Sequence, residues 1–216
     1  GVGGLLVREV QRGDGRLRRG IRRRSEQRFR CGRRLPSRRL LRRLLRTERG
    51  RALALQLLDS ADVAIENFRP GQMEKWGLGP DQVKARNPGL VYARISGYGQ
   101  NGPYADKPGY ASVTEAFGGF RYINGMPREA PVRPNISMGD SLAGIHAALG
   151  ITLALLHRDR RGDGEGQVVD VALYESMFNL MEAIVPEFDG TGAIRGPSGT
   201  TVTGIVPTNT YRCDDD

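Results

Sequence analysis

Apolar residues recur at helical spacing in RALALQLLDSADVAIENF, where Ala52, Leu53, Leu55, Leu57 and Leu58 are expected to form a buried helix face. The segment then passes into ADVAIEN, whose short apolar run VAI fits a central strand, and Pro70 with Gly71 closes that strand with turn chemistry. QMEKWGLGPDQVKARNPGL reads as short helices broken by Gly77, Gly79 and Pro80. LVYARISGYG follows as a second strand, β-branched and aromatic and bounded by glycine. Helix alternating with strand predicts an α/β layer built on a parallel sheet.

Residues 97–139 are rich in Gly, Pro, Tyr and Asn. Such a stretch is too long for a plain connection, and ordered stretches of that kind usually carry function. From Ser141 to about Arg160 the chain is apolar on nearly every side, which predicts a buried helix. Its small residues Gly144, Ala147, Ala148 and Gly150 would let other backbones approach. RGDGEGQ is a turn, VVDVALYESMFNLMEAIV gives a short strand entering another helix, and the chain is expected to be loop-like from Pro186 onward.

Charge changes the picture only at one end. The net +9 would suggest a nucleic-acid or membrane partner, but residues 1–50 hold 18 arginines and no lysine against four acids, whereas the other 15 basic residues face 20 acids. Residues 1–46 have no sustained hydrophobic period and support no packed element. Three readings stay open for them: a basic arm binding phosphates, a solvated tail, and a segment translated out of frame from a GC-rich gene. Base-stacking aromatics are absent there apart from Phe29, which weighs against nucleic-acid binding. No run of eighteen apolar residues and no signal-peptide core are seen, so no membrane and a cytoplasmic location are expected. Cys31 and Cys213 lie far apart without a CxxC or a histidine cluster, so neither a metal site nor a disulfide framework is expected.

Asp140 stands in ISMGDSLAGIHAALG, where the irregular stretch meets the long helix. An aspartate there caps the helix, or it offers a carboxylate at the lip of a cavity where the helix dipole favours negative charge, with Gly139 leaving room beside it. His146 and His157 read as packed or helix-end residues. The surrounding text decides in favour of chemistry. ADVAIENFRPG, WGLG, NPGLVYARISGYGQNGPYADKPGY, MGDSLAGIHAALGITLALLHRDRRGDGEGQVVDVALYESM and GIVPTNTYRC, in this order over residues 47–213, resemble the class III CoA-transferases, the group that includes formyl-CoA transferase and the carnitine CoA-transferases.

The resemblance implies a Rossmann-like parallel-sheet core with buried helices, an incomplete member of the interlocked CoA-transferase fold. It makes Asp140 the nucleophile on an acyl-CoA thioester and implies no tightly bound cofactor, coenzyme A thioester being a substrate alongside a small carboxylic acid. Asn67, Phe68 and Arg69 match the family's ENF segment against the CoA nucleotide, with Phe68 on the adenine. Lys75 falls where some members have a phosphate-binding arginine, and Lys supplies the charge without the bidentate fork. Pro108, Gly109, Tyr110 and Ala111 match the loop beside the thioester. From the residues alone, Phe68 is equally an ordinary core aromatic, and Arg69 and Lys75 solvated charges. Tyr110 stands where the related α-methylacyl-CoA racemases have a histidine, which favours transfer over racemisation. The resemblance divides the chain into an atypical segment 1–46, a large-domain portion 47–190 and the start of a linker at 191–216. It also implies a homodimer for full-length members and little activity for this piece alone.

Overall fold

Thr47 opens the first long helix, its side-chain oxygen accepting from the Gly50 amide at 3.1 Å, with Glu48 in the first turn where negative charge is favoured. The computed structural model describes residues 5–8 and 43–214. The readings of the arginine-rich segment over 9–42, and of Cys31, lie outside the described residues. Helix α1 (Glu48–Asp59) leads into β2 (Val63–Glu66); α2 (Gln72–Lys75) and α3 (Pro80–Lys84) lead into β3 (Val91–Ser96). Four further helices are α4 (Ala111–Phe117), α5 (Phe120–Ile123), the 24-residue α6 (Met138–Arg161) and, after β4 (Val168–Ala172), α7 (Leu173–Phe178). A 3₁₀ turn and α8 (Ile184–Thr191) follow.

The sheet runs in the order β1-β2-β3-β4, parallel from β2 to β4. Its edge strand β1 (Leu5–Arg8) pairs antiparallel with β2, in a region where the sequence pattern supported no element. Strand side chains alternate between faces. Ala64 and Tyr92 pack with Leu58, Met73, Leu78 and Val83 of the α1–α3 layer, while Val63 and Val91 pack with Ala154 of α6. The result is a sheet between two helical layers, as the helix-strand alternation predicts.

Three expectations are corrected. Positions 52, 53, 55, 57 and 58 cannot share one face of a helix with 3.6 residues per turn. The face actually buried is Ala54 and Leu58, leaving Leu53 and Leu57 more than half exposed. Helix α6 buries Ala143, Ala147, Ala154 and Arg158 on one face only; Ile145, Leu149, Leu153 and Leu156 form a bare apolar stripe on the other. Its length and composition would suffice to cross a membrane, contrary to the sequence reading, but its inner face is layered on β3, β4 and α7. Of its small residues, Gly150 does back onto the sheet, where an added Cβ would lie 2.7 Å from Val169, whereas Gly144 faces open space. Lastly, α4, α5 and α8 occupy segments expected to be irregular; Pro186 falls in the first turn of α8, where a missing amide costs nothing.

Candidate active site

Parallel α/β sheets bind ligands outside the carboxyl ends of their strands. Here all three parallel strands deliver residues to one cleft of about 620 Å³: Asn67, Phe68, Arg69 and Pro70 follow β2, Ser96 ends β3 with Gly97 behind it, and Leu173 follows β4. Gln72 and Trp76 of the α2 region, Arg46, and the 105–110 loop complete the wall, and Asp140 enters from α6.

Helix α6 starts at Met138, so Asp140 sits in its first turn and does not cap it; Ser137 holds the capping position without a side-chain bond. Asp140 is exposed on the cleft, and among the described residues no group donates a hydrogen bond to its carboxylate. The helix start is instead satisfied from α4: the buried Glu115 accepts from the Gly139 amide at 3.4 Å and is itself held by Arg133 at 3.0 Å. Gly139 therefore serves packing, contrary to the room expected beside the aspartate. A Cβ on it would press on Thr114 Oγ1 and the Ala111 backbone at 3.3–3.4 Å.

The cleft floor is drawn tight by two glycines. A Cβ on Gly97 would lie 2.4 Å from the Gly109 Cα, and one on Gly109 would lie 2.5 Å from the Gly97 Cα, so main chain touches main chain there. Arg46, Arg69 and Lys107 bring three cations to the walls, none with a carboxylate partner among the described residues, against the single acid Asp140. A site with that balance is disposed toward anionic ligands.

Behind the wall lies a buried ion network. Arg94, 6% exposed, donates to Glu66 at 2.8 Å and forms a fork with Glu74 at 2.7 and 3.2 Å. Glu66 also accepts from the Phe68 amide at 2.7 Å, which fixes the chain as it leaves β2. Burial pushes the Glu66 carboxyl above its ordinary range, with Arg94 and the Phe68 amide only partly offsetting it. Burial also opposes the charge of Glu74, but there the Arg94 fork prevails and holds the carboxyl below its ordinary range. Glu66 is the more deeply buried of the two, so the directions differ for a physical reason. On the same face of β3, the Tyr92 hydroxyl donates to the Leu78 carbonyl at 2.8 Å, and burial raises its phenol above the usual range.

Of the residues singled out from sequence, the structure brings Asp140, Asn67, Phe68, Arg69, Pro108, Gly109 and Tyr110 together on one cleft. Lys75 is exposed outside that lining, and Ala111 is buried beneath it against Gly139. Phe68, which the resemblance sets against adenine, lines the cleft at 2% exposure and packs edge-on to Trp76 at 5.1 Å as part of the core. His146 bonds within its own helix to the Leu142 carbonyl, and neither it nor His157 lines the cleft. Arg46, Trp76, Ser96 and Lys107 were missed. Trp76 lies in the WGLG motif and Ser96 and Lys107 in NPGLVYARISGYGQNGPYADKPGY, so these three carried a signal, whereas Arg46 reaches the cleft through folding alone. Among the described residues no group of His, Cys, Asp and Glu could hold a metal, and Cys213 is free and exposed.

The fold is thus an α/β sheet whose strand ends open on a cationic cleft, with one carboxylate, Asp140, unpartnered among the described residues. Residues 41–216 match the family model described as CoA-transferase family III, and the chain belongs to that family. It is 49% identical over 167 residues to the succinyl-CoA–D-citramalate CoA-transferase of Chloroflexus aurantiacus, covering 77% of this chain and 41% of that protein. It is 39% identical over 135 residues to the formyl-CoA:oxalate CoA-transferase of Streptomyces avermitilis, covering 62% and 32%. A solved CAIB/BAIF family protein from Brucella suis superposes with a TM-score of 0.72 at 34% identity, covering 79% of this chain and 45% of that one. The chain thus spans between about a third and two fifths of the length of the curated relatives named here.

Proposed function

We propose that this cleft transfers coenzyme A from an acyl-CoA to a carboxylic acid, with Asp140 as the covalent relay. The observation that carries the reading is the Asp140 carboxylate, exposed on the cleft wall with no hydrogen-bond partner among the described residues. An aspartate serving only the helix end would spend its oxygens on first-turn amides.

A carboxylate oxygen of Asp140 attacks the thioester carbonyl; the C–S bond breaks, and a mixed anhydride and CoA thiolate result. The thiolate then attacks the aspartyl carbonyl, the donor carboxylate departs, and an aspartyl-CoA thioester remains. The acceptor carboxylate attacks that thioester, releasing thiolate and forming a second anhydride. Thiolate attack on the acceptor's acyl carbon frees Asp140 and yields the new acyl-CoA. Each step exchanges one acyl bond for another and no proton is consumed, which keeps the intermediates similar in energy. The first-turn dipole of α6 favours the negative charge that develops beside Asp140. Arg69 and the other wall cations are assigned to the CoA phosphates, and Pro108, Gly109 and Tyr110 to the neighbourhood of the thioester.

The names of relatives such as the C. aurantiacus enzyme make succinyl-CoA the donor to try first. Incubated with it, digested and analysed by mass spectrometry, the chain is expected to carry succinyl or CoA adducts on the peptide containing Asp140, and Asp140→Asn to carry none. Adducts that persist in Asp140→Asn, or that map elsewhere, would refute the assignment. The complete cycle is proposed for the family's full-length proteins, as homodimers; this chain alone is expected to show adducts with little turnover.

A further inference from the structure

Ser96 is 7% exposed, closes β3 and lies on the cleft wall, yet among the described residues its Oγ has no hydrogen-bond partner. A buried hydroxyl left without a partner is costly, and native proteins rarely keep one without a use for it. The next residue, Gly97, is held by backbone contact with Gly109, so the strand end cannot drift to find an internal partner.

The direction of the side chain narrows the ligand. Alternation along β3 puts Ser96 on the face of Tyr92 and Arg94, which look toward α2, and opposite to Ile95, which packs with Ala143 and Ala147 of α6. Ser96 therefore looks toward the side of Trp76, away from the helix that carries Asp140. An extended ligand whose anionic end lies near Arg69 and whose reacting end reaches Asp140 must pass this strand end. On that side the cleft lining offers Trp76, and the charge of Arg94 is taken up by Glu66 and Glu74, which suits a neutral, amide-bearing chain better than a phosphate.

On the reading given under Proposed function, we propose that the Ser96 hydroxyl turns about its Cα–Cβ bond into the cleft and donates a hydrogen bond to an amide carbonyl of the pantetheine arm of CoA. Ser96 is a binding and positioning residue and takes no part in bond making.

Isothermal titration of the wild-type chain and Ser96→Ala with two probes, free CoA and adenosine 3′,5′-bisphosphate, together with thermal melts of both, tests this. CoA carries the pantetheine arm and the bisphosphate does not. Ser96→Ala is expected to weaken CoA by about three- to tenfold, the worth of one neutral hydrogen bond. It should leave the bisphosphate affinity unchanged, and its melting temperature should equal or exceed that of the wild type, because the hydroxyl it removes satisfies nothing among the described residues. A lowered melting temperature would mean that the hydroxyl has a structural partner and would overturn the proposal. So would unaltered CoA affinity, or equal losses for both probes. Failure of the wild type to bind CoA at all would overturn the CoA reading along with this one, whereas binding that ignores Ser96→Ala overturns this one alone.

Discussion

Replacing Arg94 with methionine removes a guanidinium that is 6% exposed while retaining most of its apolar stem, and it leaves Glu66, 1% exposed, with the Phe68 amide but no cation among the described residues. Breaking a buried pair by deleting one partner costs about 3–5 kcal/mol, chiefly for the charge left behind. The Glu74 arm adds little, since that carboxylate is more than a third exposed and water screens it. For a domain of this size such a loss lowers the melting temperature by about 6–20 °C. The pH dependence is the sharper readout. Burial already raises the Glu66 carboxyl, and losing Arg94 raises it further. The native state then holds a proton that the unfolded chain releases above about pH 4.3, so stability falls as pH rises through that window, by up to about 1.4 kcal/mol per unit. Glu74 acts oppositely in the wild type: its depressed carboxyl contributes stability above the ordinary glutamate value that is lost as pH falls, and the variant lacks this acid-side loss. Urea denaturation followed by circular dichroism at a series of pH values measures both slopes. Arg94→Met with Glu66→Gln should recover much of the stability, because a neutral amide can still accept from Phe68. A single variant within about 1 kcal/mol of wild type, with an unchanged pH slope, would refute the argument.

Gly97→Ala should cost about 1–3 kcal/mol through the 2.4 Å clash with Gly109, and should also weaken CoA binding, as thermal melts and titration calorimetry would show. Tyr92→Phe should cost about 1 kcal/mol through the lost bond to the Leu78 carbonyl. It should also flatten the fall in stability above about pH 10, because the raised phenol makes the native state retain a proton there. Leu149→Lys with Leu153→Lys, both on the bare side of α6, should sharply reduce binding of the dye ANS while shifting stability by no more than about 0.5 kcal/mol.

The parallel strands were legible because VAI and VYARIS are short apolar runs flanked by turn residues, and α6 because its apolar length permits nothing but a helix. The depth of α6 was not legible: a sequence that is apolar all round does not say which side receives the sheet. Within residues 97–139 the glycines and prolines masked the two short helices, of which α4 is held against α6 and α7, and α5 against α4, more than by their own propensity. In the site, Asp140 was visible through the family motif, while the Glu66–Arg94–Glu74 network joins residues 28 and 20 positions apart and exists only once β2, β3 and α2 have met. Ser96 looks like any strand-end serine until the absence of a partner among the described residues is seen in three dimensions. Phe68 carries the opposite lesson, since a motif residue can mark a site by shaping the core beneath it.

Main chain crossing main chain at Gly97 and Gly109 fixes the gauge of the passage by peptide geometry, independently of any side chain. Substitutions in the flanking loops can then reshape the cleft without altering how far apart the two walls stand, whereas a change at either crossing point would shift both walls at once.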